Sequence, residues 1–83
     1  MNNEDLYVQI GISIRSARKA NKITQEQLGD LLSISRASLS NIERGRHRIQ
    51  IHVLYEIAEN MDMSITDFLA AQSQGQGAKK IIN

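Results

Sequence analysis

TQEQLGDLLSISRASLSNIERG, residues 24–45, sets two short helical patterns a very few residues apart. Thr24 followed three residues later by Gln27 is a capping box, in which a hydroxyl oxygen and an amide oxygen each accept an orphan backbone N–H. The spacing predicts a helix beginning at Gln25, with Leu28, Leu31 and Leu32 on its inner face. Ser33 and Ile34 interrupt the pattern, and Ser35 offers the N-cap oxygen of a second helix that turns Leu39 and Ile42 inward. Gly45 supplies the left-handed residue that ends it. Helices joined this tightly must cross closely, and Gly29 has no side chain to obstruct the crossing.

The apolar spacing leaves Arg36, Ala37, Ser40, Asn41 and Arg44 together on the outer face of the second helix. All are short or able to hydrogen-bond, and the pair reads as a helix-turn-helix more readily than as a plain helical hairpin with a solvated face. The flanking segments supply its support. Upstream, Leu6, Ile10, Ile14 and Ala17, with Tyr7 beside them, form the buried stripe of a helix that stops near Asn21. Downstream, Arg46 to Ile49 read as a loop, and Leu54, Ile57, Ala58 and Met61 mark a fourth helix. Ser64 and Asp67 cap a short fifth helix carrying Ile65, Phe68 and Leu69. The expected architecture is all-α, a compact five-helix domain over residues 1–71 followed by a flexible polar tail, 72–83.

Composition agrees with one small helical core. Eighty-three residues are too few for two ordinary domains, and 41% apolar content with two Tyr and one Phe implies a core of Ile, Leu, Ala and Met. There is no proline and no cysteine, which excludes disulfides and thiolate metal sites. His47 and His52 alone offer too few ligands for a metal, and no cofactor is expected. No nucleophile set, phosphate-binding glycine loop or carboxylate–histidine constellation argues for an enzyme. No apolar run approaches a membrane span, and the N-terminus lacks a leader pattern, so the expected compartment is the cytoplasm.

The net charge of +1 conceals a strong segregation. Residues 15–48 carry eight basic and three acidic side chains, whereas residues 49–71 carry four acidic and no basic ones. One face is thus suited to meet an anion and another is kept off it.

Thr24–Gly45, with Arg18, Gln25 and Glu43-Arg44-Gly45 as landmarks, resembles the lambda-repressor-like, or Xre/Cro, helix-turn-helix family, and the likeness runs from about Ile10 to Leu69. The resemblance implies a transcriptional regulator of bacteria or phages, repressor or controller protein, that binds double-stranded DNA as a homodimer while associated with the nucleoid. Arg18 and Glu43 resemble the family's ion pair between the first and third helices. Gln25 resembles the glutamine that meets a phosphate at the start of the second helix. Two residues depart from the pattern: Ser33 stands where a turn glycine is common, and Gln50 where a capping Ser or Thr is frequent.

The side chains suggest how such a domain would read DNA. Arg36 has the geometry for guanine, Asn41 for adenine and Ala37 for a thymine methyl, with Ser35 and Ser40 beside them. Gln25, Arg44, Arg46, His47, Arg48 and Gln50 are the expected phosphate contacts. Arg15, Lys19 and Lys22 read equally well as phosphate contacts or as a solvated face. Met61, Met63, Ile65, Phe68 and Leu69 are candidates for the dimer interface, about half of them expected to serve the core instead. The alternative is an antitoxin or interaction module whose tail holds a partner protein.

Overall fold

A computed structural model describes residues 3–73. The described residues form α1 (Asn3–Ala20), α2 (Gln25–Leu32), α3 (Arg36–Glu43), α4 (Ile51–Asn60) and α5 (Ile65–Ser73), with no strand among them. The fold is the compact all-helical one expected. α5 runs two residues past the anticipated end at Ala71, and the rest of the expected tail, 74–83, lies outside the described residues. None of the described helices is long and apolar enough to cross a membrane.

One local device is used four times. α1, α2, α3 and α4 each end on a residue of positive φ: Lys22 at 58°, Ser33 at 60°, Gly45 at 78° and Asp62 at 58°. In each case the following N–H donates back five residues, as from Ile34 to the Gly29 carbonyl at 2.9 Å and from Met63 to that of Ala58 at 2.8 Å. These bonds satisfy carbonyls that a helix end would otherwise leave unpaired. Ser33 therefore occupies the left-handed conformation that its place in the turn suggested.

Helix starts repeat as well. Ile23, Ile34, Ile49 and Met63 precede the caps Thr24, Ser35, Gln50 and Ser64, and each is followed five positions later by Leu28, Leu39, Leu54 or Phe68. That spacing is the hydrophobic staple, which fixes the entry angle of the chain. All four downstream partners are essentially excluded from solvent.

The caps differ in detail. Thr24 accepts the Gln27 N–H at 3.0 Å and Gln27 Oε1 accepts that of Thr24 at 2.9 Å, which completes the box. At α5 only half of it forms: Asp67 Oδ2 accepts the Ser64 N–H at 2.9 Å, while the Ser64 hydroxyl pairs with that of Thr66. Gln50 makes no side-chain cap bond.

The core gathers Ile10, Ile14 and Ala17 of α1 with Leu28, Leu32, Leu39, Leu54, Ile57, Ala58, Met61 and Phe68. α1 lies against α3 and α5, α2 against α3 and α4, and α4 against α5. Leu31 corrects the expected inner face of α2, since it is 56% exposed. A Cβ on Gly29 would stand 2.8 Å from the Ile34 carbonyl oxygen, so the buried arc of α2 is Leu28–Gly29–Leu32. Leu31 falls about 60° to the other side of Leu28 and clears the neighbouring helices.

Candidate nucleic-acid interface

The orientation of α3 is set from its inner side. Arg18 reaches from α1 and grips Glu43 with two of its three guanidinium nitrogens, Nε to Oε2 at 2.7 Å and Nη2 to Oε1 at 3.2 Å. The remaining nitrogen donates to the Ile23 carbonyl at 2.8 Å. Both residues are buried, and each of the three guanidinium nitrogens donates one hydrogen bond, two of them to the carboxylate in the fork geometry. Gln25 joins them, its Nε2 donating to Glu43 Oε1 at 3.0 Å. One carboxylate thus ties α1, the start of α2 and the end of α3 together. The amide expected at a phosphate is partly spent inside the protein.

Close backbone contacts complete the fixture. A Cβ on Gly11, in mid-α1, would lie 2.5 Å from the Glu43 carbonyl oxygen and 2.6 Å from that of Ile42. α1 can therefore touch the backbone of α3 only because residue 11 is glycine. A Cβ on Gly45 would lie 2.7 Å from Val8 Cα, so this residue is needed for its closeness to α1 as well as for its φ.

With Leu39 and Glu43 buried, α3 turns Arg36, Ala37 and Arg44 fully outward and leaves Ser40 and Asn41 half-exposed beside them. Ser35, exposed beside them, forms the cap expected of it. Its hydroxyl accepts the Ser38 N–H at 3.0 Å and donates to Ser38 Oγ at 3.0 Å, so it serves the cap. Arg36, Ser40 and Arg44 line an open cleft of about 530 Å³ together with Arg15, Thr24, Gln25 and Glu26, with the Arg18–Glu43 pair also in its wall. Outside the internally neutralised ion pair, Arg15, Arg36 and Arg44 outweigh Glu26 and give the cleft a positive character. The N–H groups of Gln25 and Glu26 in the first turn of α2 open nearby without partners among the described residues.

The loop after α3 continues this side. The Arg46 and His47 N–H groups both donate to the Asn41 carbonyl, at 2.9 and 3.3 Å, and Ile49 is buried, which fixes the loop at both ends. Arg46, His47 and Arg48 remain exposed, and the Arg48 guanidinium carbon sits 5.7 Å from the centroid of the Tyr7 ring. Gln50 is exposed at the start of α4.

The five apolar candidates for a dimer contact separate into two groups. Met61 and Phe68 are buried in the chain's own core, at 4% and 0% exposure, and are unavailable to a partner. Met63, Ile65 and Leu69 pack against that core while keeping part of their surface. Among the described residues no cluster of three potential metal ligands occurs.

Three features escaped the sequence reading. Gly11 carried a signal, since an isolated glycine in a helical pattern often marks close packing. The bond of Gln25 to Glu43 and the contact of Tyr7 with Arg48 carried none, because each joins residues far apart in the chain.

Among known proteins, a family model described as helix-turn-helix matches residues 14–68. The control protein C.SmaI of Serratia marcescens is 27% identical over 68 residues, which are 82% of this chain and 81% of that one. The clp gene regulator ClgR from Corynebacterium glutamicum matches with a TM-score of 0.75 at 28% identity, over 77% of this chain and 68% of the ClgR chain. The restriction-modification controller protein C.AhdI from Aeromonas hydrophila has the same fold, with a TM-score of 0.76 at 22% identity, over 82% of this chain and 99% of that one.

Proposed function

Because this chain belongs to the helix-turn-helix family of Xre/Cro, lambda-repressor-like DNA-binding transcriptional regulators, we propose that it binds a palindromic operator as a homodimer with α3 in the major groove. The observation that carries this reading is the outer face of α3, where arginine, amide, hydroxyl and methyl groups stand clear of the core on a helix oriented by a buried ion pair.

In this reading Arg36 donates two hydrogen bonds to guanine and Asn41 pairs with adenine, while Ala37 touches a thymine methyl and Ser40 lies between base and backbone. Ser35 acts through the cap. Arg15, Arg44, Arg46, His47 and Arg48, with the backbone N–H groups that open α2 at Gln25 and α4 after Gln50, hold phosphates and fix the register. A single domain makes few base contacts, so specificity comes from two copies across a dyad. Met63, Ile65 and Leu69 supply the apolar surface for pairing. Likeness to C.SmaI over four-fifths of both chains supports a small repressor or controller protein.

The test is a selection of the purified chain against randomised duplexes at fixed, near-physiological salt. Recovery of a palindrome with half-sites about 10 bp apart, centre to centre, supports the reading. Binding that is sequence-blind and purely salt-sensitive overturns it.

A further inference from the structure

We propose that Tyr7, near the start of α1, is a positioning residue for DNA binding: its ring seats the Arg48 guanidinium and presents it to a phosphate beside α3. The inference rests on the DNA-binding reading above.

Arg48 is exposed, and no carboxylate among the described residues pairs with it. Its guanidinium lies instead over the half-buried Tyr7 ring, which itself packs against the core. The loop beneath Arg48 is held independently, by Gly45 against Val8, by the Asn41 carbonyl and by the burial of Ile49. The side chain is therefore the part still free to move, and the ring is what holds it. A guanidinium over an aromatic face is attracted by the ring without using any of its N–H groups as donors to another side chain, so those groups stay available for a phosphate to accept. Ordering a long side chain before binding removes an entropy cost that a free arginine meets on contact. Arg46 and His47 stand on the same loop with no ring beneath them, which singles out Arg48 as the pre-arranged donor.

Five variants of the full chain test this: Tyr7→Leu, Tyr7→Phe, Arg48→Lys, Arg48→Ala and the double change Tyr7→Leu with Arg48→Ala. NMR of the free protein reads the contact through the ring-current shift of the Arg48 side-chain protons. That shift is expected to persist in Tyr7→Phe and to vanish in Tyr7→Leu. Binding to the selected palindrome and to a random duplex is expected to weaken about two- to fivefold per domain in Tyr7→Leu, equally on both, and to be retained in Tyr7→Phe. Arg48→Lys leaves the core untouched and keeps the charge but loses the guanidinium with its fork of donors over the ring, so it guards against a folding defect in Tyr7→Leu and is expected to weaken binding similarly. In the Arg48→Ala background Tyr7→Leu is expected to add nothing.

Wild-type affinity in both Tyr7→Leu and Arg48→Lys overturns the role of Tyr7, as does a loss in Tyr7→Leu that is undiminished by Arg48→Ala. A wild-type chain that binds no duplex overturns the DNA-binding reading and this role with it, whereas failure confined to the variants overturns the role alone.

Discussion

The α2–α3 unit and the α4–α5 unit are built on one plan and secured by different means. Both open their helices with an apolar residue before the cap and a core residue five positions on, and both contain a turn through a non-glycine left-handed residue, Ser33 or Asp62. In α4 and α5, apolar anchors do the holding: Leu54, Ile57, Ala58, Met61 and Phe68 are buried, and no buried charge accompanies them among the described residues. In α2 and α3 the apolar anchors are Leu28, Leu32 and Leu39, supplemented by the Arg18–Glu43–Gln25 network and the close approach at Gly11. Apolar contacts are non-directional and secure proximity, whereas a two-armed ion pair also secures angle. The charged fixture occurs in the unit that must present side chains at a defined orientation.

The largest expected effect comes from breaking that fixture. Glu43→Ala strands the Arg18 charge and should lower the unfolding free energy by about 3–5 kcal/mol in urea titrations. Replacing Arg18 and Glu43 together by Met and Leu should recover most of the stability while blunting sequence discrimination in a binding competition. If discrimination survives in that double variant, the distinction between holding and aiming fails. Gly11→Ala should cost about 1–3 kcal/mol, because the new methyl meets α3 backbone that has nowhere to retreat.

Effects on the outer face should be read in specificity rather than stability. Arg36→Ala or Asn41→Ala should relax preference at one position per half-site by roughly 1–3 kcal/mol in competition assays. Arg46→Ala should weaken specific and random duplexes alike and reduce the slope of log K against log salt by about one unit per domain. A base-selective effect would move Arg46 into the reading set. The smallest change sharpens the comparison of the two turns. Ser33→Gly should stabilise by up to about 1 kcal/mol in thermal or urea unfolding, and Asp62→Gly by less, since Asp tolerates the left-handed region better than Ser.

Much of this was legible in local sequence. The start of α2 at Gln25, the cap at Ser35, the end of α3 at Gly45 and the polar face from Arg36 to Arg44 all follow from contacts within one helical turn. Leu31 shows where such reasoning stops. A three-leucine stripe is a sound inner face for an isolated helix, but the crossing at Gly29 rotated the buried arc and left Leu31 outside. Met61 and Phe68 make the same point from the other end, since an apolar residue at helical spacing serves core and interface equally well until packing decides.

The order of the helices, the start of α2, the caps at Thr24 and Ser35, the stop at Gly45, the separation of basic from acidic segments and the family likeness carried by residues 24–45 were determined by the sequence itself, because each depends on neighbours or near-neighbours along the chain. The tertiary structure alone decided that Gln25 donates to Glu43, that Gly11 lies against the α3 backbone, that Arg15 shares a cleft with Arg36 and Arg44, and that Arg48 lies over Tyr7. Those relations depend on the angles at which helices cross, and the crossing angles are settled only when all the packed faces are satisfied at once.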